Sequence, residues 1–161
     1  MKTLLLICSL LLSLGLYAET KVTVFVELTP AGSFQAVSKK VKGNLFKTGD
    51  SFTSEKLTVS VESLKTGIDL RDEHTWKHLN SSKHEKITLT DLKASGGKGS
   101  ALLEVNGVKK LIAITYKEVN GEVVANFQVK NSDFSLAKVS YLNVGVKDEI
   151  KVEAIVPFKA K

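Results

Sequence analysis

The chain has 161 residues, with 23 Lys and Arg against 17 Asp and Glu, and a formal net charge of +6. Its cations alternate with acids and Thr instead of forming a block, which favours a solvated basic surface over the clustered Lys/Arg and aromatic platforms of a nucleic-acid binder. A single Cys excludes an internal disulfide framework, so packing alone must hold the fold.

Residues 1–18 read as a cleavable export signal. Lys2 is followed by an almost unbroken Leu/Ile run from Leu4 to Leu16, and Tyr17-Ala18 offers a small residue at the cut. That run of 13 residues is short for a bilayer span. Cys8 follows Leu5-Leu6-Ile7 and lacks the small residues of a lipoprotein site. The exported protein then runs from Glu19 to Lys161, 143 residues (161 less 18) with no Cys and a net charge of +5. That length suffices for one self-supporting domain, and the expected location is the periplasm.

After the signal the chain reads as strands. Val22, Val24, Val26 and Leu28 alternate with Lys21, Thr23 and Glu27, and Phe34 and Ala36 resume beyond the turn Pro30-Ala31-Gly32. Leu57, Val59 and Val61 form a second apolar face. The stretch Ser63 to Leu79 holds the only Arg (Arg71), the only Trp (Trp76) and His74 and His78; it reads as one short helix, with Leu70, His74 and Lys77 on one face and Trp76 and Leu79 on another. Ile87 and Leu89 follow, then Gly96-Gly97-Lys98-Gly99, then Ala101, Leu103 and Val105. Asn106-Gly107 and Asn120-Gly121 lie between alternating runs, the strongest local signal for a two-residue hairpin. Val123, Ala125, Phe127 and Val129, and later Ile150, Val152, Ala154, Val156 and Phe158, complete the pattern. Such a succession predicts a sandwich or barrel, and closure into a barrel removes exposed edges. The clearest alternating faces carry Val, Leu and Ala and few aromatics. This favours an interior with room for a ligand over one filled by side chains, although an eight-stranded barrel permits either.

Little in the chain points to catalysis. His74 and His78 have the i, i+4 spacing of zinc ligands, with His84 or an acid as a third. The order Glu-His-x-x-x-His is not that of a zinc protease, and Lys77 and Lys83 lie alongside, so surface histidines and no metal are expected. The chain has no nucleophile elbow and, after export, no Cys nucleophile. The run Gly96 to Ser100 lacks the spacing of a phosphate loop and sits between strands. No catalytic residue and no cofactor are assigned. A lone guanidinium among many ammonium groups marks a place that needs planar, multi-donor geometry. Arg71 has two readings: a clamp paired with Asp69, Asp72 or Asp133, or a donor to a ligand head group.

Three segments carry a resemblance. Ser63, Leu64, Thr66 and Gly67, followed by Arg71-Asp72-Glu73-His74, resemble the S-[IL]-x-T-G-x-x-x-R-D-x-H signature of the YceI-like, lipid-binding family. Leu103 to Lys110 is similar to its L-T-x-x-G-V-T-K hairpin, with Glu104 and Lys109 in place of the two Thr. Phe127 to Phe134 and Val144 to Val152 are similar to its closing strands. The likeness runs from about Val22 to Phe158; the family's F-F-D segment is absent, and Lys83-His84-Glu85-Lys86 stands there.

The resemblance implies an all-β fold, an antiparallel lipocalin-like β-barrel of about eight strands with one short helical segment, occupying residues 19–161. It further implies a long apolar cavity and a ligand that is an isoprenoid lipid, either a polyisoprenoid or an isoprenoid quinone. On that reading Val24, Phe34, Val59, Val61, Phe127 and Val152 form the cavity wall. Arg71, Asp72, His74 and Trp76 stand at the mouth, as ligand contacts or as structure. The expected role is carriage or sequestration without catalysis. A filled barrel serving as an envelope interaction module is the alternative, and an enzyme acting on a lipid-like substrate through Arg71, Asp72 and His74 is a more distant one. Contact with an anionic membrane surface stays open, and no motif specifies an oligomeric state.

Overall fold

The computed structural model describes residues 19–161; the expected export signal, residues 1–18, lies outside the described residues. Twelve strands and one α-helix follow in order: β1 (Lys21–Thr29), β2 (Ser33–Ser38), β3 (Val41–Gly43), β4 (Leu45–Thr48), β5 (Ser51–Ser60), α1 (Asp69–His78), β6 (Lys86–Ser95), β7 (Lys98–Val105), β8 (Val108–Val119), β9 (Glu122–Lys130), β10 (Ser140–Tyr141), β11 (Val144–Val146) and β12 (Glu149–Ala160).

Strands β5 to β9 form an antiparallel meander. Its last two turns are the two Asn-Gly pairs, with φ of 51° and 74° at Asn106-Gly107 and 50° and 81° at Asn120-Gly121, as a type I′ turn requires. Closure comes from β12. It pairs antiparallel with β9 from Glu149↔Lys130 to Pro157↔Glu122, then runs parallel to β4 at Phe158↔Leu45 and Ala160↔Lys47. The closed ring is therefore β12-β4-β5-β6-β7-β8-β9, seven strands where about eight are expected, and one of its seams is parallel. The remaining strands extend its wall. β1 lies antiparallel on β12, β2 on β1, and β3 on β5. Gly43 makes the passage from β3 to β4 possible. Its φ is 119°, and a Cβ there would stand 2.2 Å from the Lys56 carbonyl oxygen.

The inward parity is not continuous. Along β5 it runs through Phe52 and Ser54, then shifts to Leu57 and Val59, with Glu55 and Lys56 both exposed. The neighbouring β6 is irregular at the same level, between Thr90 and Lys93, where Asp91 has φ 55°. One end of the barrel is sealed by aromatics. The Phe52 ring meets Tyr116 and Phe158 edge-on at 5.3 and 5.1 Å, and Leu45, Val123 and Val156 pack with them.

Candidate functional site

Above that seal the barrel is hollow. A cavity of about 330 Å³ runs along the interior. Its wall includes Val22, Val24 and Val26 of β1, Phe34 and Ala36 of β2, and Leu57 and Val59 of β5. Opposite lie Ile87 and Leu89 of β6, Leu103 and Val105 of β7, and Phe127 and Val129 of β9. Along β12 alone, Ile150, Val152, Ala154 and Val156 face it in succession, a rise of roughly 20 Å at about 3.3 Å per residue. The void is thus long and lined by aliphatic groups, as the alternation of small apolar residues implies.

Its polar groups are concentrated on α1. Arg71, His74, Thr75, His78 and Leu79 line the cavity, at helical spacings i, i+3, i+4, i+7 and i+8. The sequence places Leu70, His74 and Lys77 together on one face; instead Leu70 is 62% exposed and Arg71 takes the inward position. The cause is tertiary. Asp72, on the other side of the helix, is buried, and its Oδ1 accepts hydrogen bonds from the Thr66 backbone N–H (2.6 Å) and the Thr66 hydroxyl (2.7 Å). Lys65 Nζ lies 3.5 Å from Oδ2. These Thr66 bonds hold the Asp72 carboxyl below the usual carboxylate range. Trp76 Nε1 donates to the Leu64 carbonyl (2.9 Å), and Lys65 Nζ stands 4.1 Å from the Trp76 ring centroid. The residues Leu64, Thr66, Asp72 and Trp76 therefore fix how α1 is rolled on the barrel.

The four residues expected at the mouth accordingly divide. Arg71 and His74 line the cavity; Asp72 and Trp76 anchor the helix and do not. The clamp role envisaged for Arg71 falls to Asp72. No ion pair joins Arg71 to a carboxylate among the described residues, and its guanidinium carbon lies 4.8 Å from the Phe34 ring centroid. Of the six wall residues, Val24, Phe34, Val59, Phe127 and Val152 line the cavity. Val61 does not. β5 ends at Ser60, and Val61 opens a 3₁₀ turn that buries it (1% exposed) outside the lining.

His78 does not take the surface position expected of it. It is not a surface histidine: its ring lines the cavity, its Nε2 is buried without a hydrogen-bond partner, and burial pushes its pKa down. Its position seven residues after Arg71 is the available clue. No three His, Cys, Asp or Glu side chains converge as a metal site among the described residues. The closing strand expected over Phe127 to Phe134 ends at Lys130, where β9 stops. A 3₁₀ turn, Asn131–Phe134, is held by Ser132 donating through N and Oγ to Asp148 (2.8 and 2.6 Å). Beyond it, Val139 and Val146 line the cavity from the hairpin β10–β11. Among all lining residues only His74 and Val139 are exposed, which places the opening between α1 and this hairpin.

The YceI-like domain profile matches residues 17–158. No curated protein matches the chain. Among solved structures, BcnA of Burkholderia cenocepacia is similar, with a TM-score of 0.68 at 14% identity over 85% of this chain and 94% of that one. A polyisoprenoid binding domain from Saccharophagus degradans, implicated in plant cell wall breakdown, gives 0.62 at 15% identity over 85% and 91%. A YceI protein of Campylobacter jejuni gives 0.50 at 20% identity over 73% and 82%. At such identities these likenesses are likenesses of fold. With the profile spanning almost all of the barrel, the chain belongs to the YceI-like family.

Proposed function

We propose that this protein binds one isoprenoid lipid, a polyisoprenoid or an isoprenoid quinone, and carries or sequesters it in the periplasm without catalysing a reaction. The observation that carries the reading is the cavity itself: long, aliphatic, sealed by aromatics at one end and polar only along α1 and at Asn131. A branched hydrocarbon tail needs no polar partner along its length and gains about 25 cal/mol for each Å² withdrawn from water. Its polar end would rest under α1, where Arg71, His74 and Thr75 stand. Binding of a polyisoprenoid by the related domain from Saccharophagus degradans supports the ligand class. The reading of residues 1–18 as an export signal supports the location.

The test is native mass spectrometry of protein purified, without added lipid, from the envelope that produces it. The expected spectrum shows one lipid adduct per chain, released as an isoprenoid on organic extraction, and a mature chain starting at or near Glu19. Protein recovered wholly empty from a lipid-rich envelope, or bearing a polar metabolite instead, would overturn the proposal.

A further inference from the structure

The rim of the cavity contains a feature that barrel stability does not account for. At the base of the β10–β11 hairpin, Val146 N donates to the Val139 carbonyl (3.1 Å), and both side chains line the cavity. From that base the hairpin reaches out to the two-residue tip Leu142-Asn143, with φ of 47° and 64°. The two-residue tips Gly96-Gly97, Asn106-Gly107 and Asn120-Gly121 place only Gly or Asn at positive φ; here Leu occupies the first position, with neither the freedom of Gly nor the short polar side chain of Asn. Leu142 is 78% exposed, and Val144 and Val139 are 42% and 39% exposed. A large apolar side chain is therefore held in water, on an unfavourable backbone, at the lip of an apolar cavity.

The hairpin's own charges are basic, and the acids beside it, Glu27, Asp148 and Glu149, lie at its base. Residues 138–147 contain Lys138 and Lys147 and no acid. Lys147 is paired with Glu27 (2.7 Å), and the next acid, Asp148, is engaged by Ser132. Across the opening, Ile68 and Leu70, 50% and 62% exposed, flank the start of α1 just before Arg71.

We infer that the β10–β11 hairpin is a membrane-docking element, whose tip Leu142 and Val144 enter the head-group boundary of an anionic bilayer and set the cavity mouth against the lipid phase. The inference rests on the proposed lipid ligand for its purpose. Its physics is independent of that ligand: an apolar tip of small area combined with basic residues gives reversible attachment, stronger on anionic lipid. The hairpin continues the cavity wall through Val139 and Val146, so a tail leaving the bilayer along it stays on apolar surface.

The test compares native protein with the double variant Leu142→Asn, Val144→Thr, which suits the turn and the strand while removing the apolar tip. Both are sedimented with phosphatidylcholine vesicles containing or lacking phosphatidylglycerol, with no isoprenoid present. Native protein is expected to bind the anionic vesicles, and the variant to bind at least tenfold more weakly with an unchanged melting temperature. Geranylgeraniol is then offered either in vesicles or from a cyclodextrin complex. The variant should take it up slowly from vesicles and normally from cyclodextrin. Equal vesicle binding by both proteins, or none by native protein, overturns the docking element; so does a hairpin-dependent dimer without vesicle binding. Failure of native protein to take up geranylgeraniol by either route, with vesicle binding intact, counts against the lipid ligand and leaves the docking surface standing.

Discussion

Replacing Val59 by Trp separates a ligand cavity from a core. Val59 is 9% exposed, faces the void from β5, and is paired with Val41 on one side and Ile87 on the other. An indole at this position would extend into the cavity and occupy space that the lipid tail is proposed to fill. Excluding one isoprene unit's worth of carbon, at about 0.8 kcal/mol per buried methylene, removes about 4 kcal/mol of gross burial. A flexible tail recovers part of this by shifting toward the mouth. The net loss expected is at least about 1.4 kcal/mol, tenfold in Kd. Stability of the empty protein should change by less than about 1 kcal/mol, because the added atoms enter open space; in a filled core the same change costs about 1–3 kcal/mol. Urea denaturation of the empty protein and a geranylgeraniol titration give both numbers. Undiminished affinity together with a loss of 1–3 kcal/mol in stability would refute the reasoning, since the interior would then be packed and the ligand held elsewhere.

Arg71→Lys keeps the charge but loses the planar group over Phe34, so binding of an isoprenoid with a phosphate or quinone head should weaken by about tenfold, while a plain branched hydrocarbon is spared. Equal losses for both ligands would assign Arg71 to the fold instead. Asp72→Ala leaves the Thr66 N–H and hydroxyl without their acceptor, and amide hydrogen exchange across residues 69–78 should quicken by an order of magnitude or more; unchanged protection would remove Asp72 as the helix anchor. Because the Asp72 carboxyl is held below its ordinary range, its contribution is present above that range and is lost as pH falls through the lowered value. His78 acts in a higher window. Its lowered pKa means that the unfolded chain takes up a proton first, so stability is complete above the ordinary value of about 6.5 and declines as pH falls through the folded-state value. His78→Leu should flatten the melting-temperature profile below that pH, and an identical slope in both proteins would show that the ring is not shielded as described.

Much of the barrel is legible in the sequence because a strand alternates with period two and a hollow interior tolerates repeated Val, Leu and Ala on one face. The Asn-Gly pairs fix two hairpins from two residues each. What escapes such reading is set by distant partners. Nothing local to Leu45–Thr48 announces a parallel seam with the end of the chain. The parity shift in β5 lies level with the bulge at Asp91 in the neighbouring strand, which no local pattern announces, and Val61 leaves the wall because the chain turns at Ser60, although its alternation with Val59 is unbroken. The roll of α1 is decided by Asp72 on Thr66 and Trp76 on Leu64, so a ten-residue helix without a continuous apolar stripe gave the wrong inward face. His78 turns inward with that roll. The short hairpin at 140–146 offers too few residues to show any period.

The central claim, that an isoprenoid tail lies inside this barrel, is tested most directly by photo-cross-linking. A geranylgeranyl probe carrying a diazirine on its tail is bound to native protein, irradiated, and the labelled residues are mapped by peptide mass spectrometry. The account predicts labels on inward residues such as Val24, Phe127 and Val152, one probe per chain, with competition by unlabelled geranylgeraniol. Labels confined to outer positions such as Leu111, which is 73% exposed on β8, would contradict it.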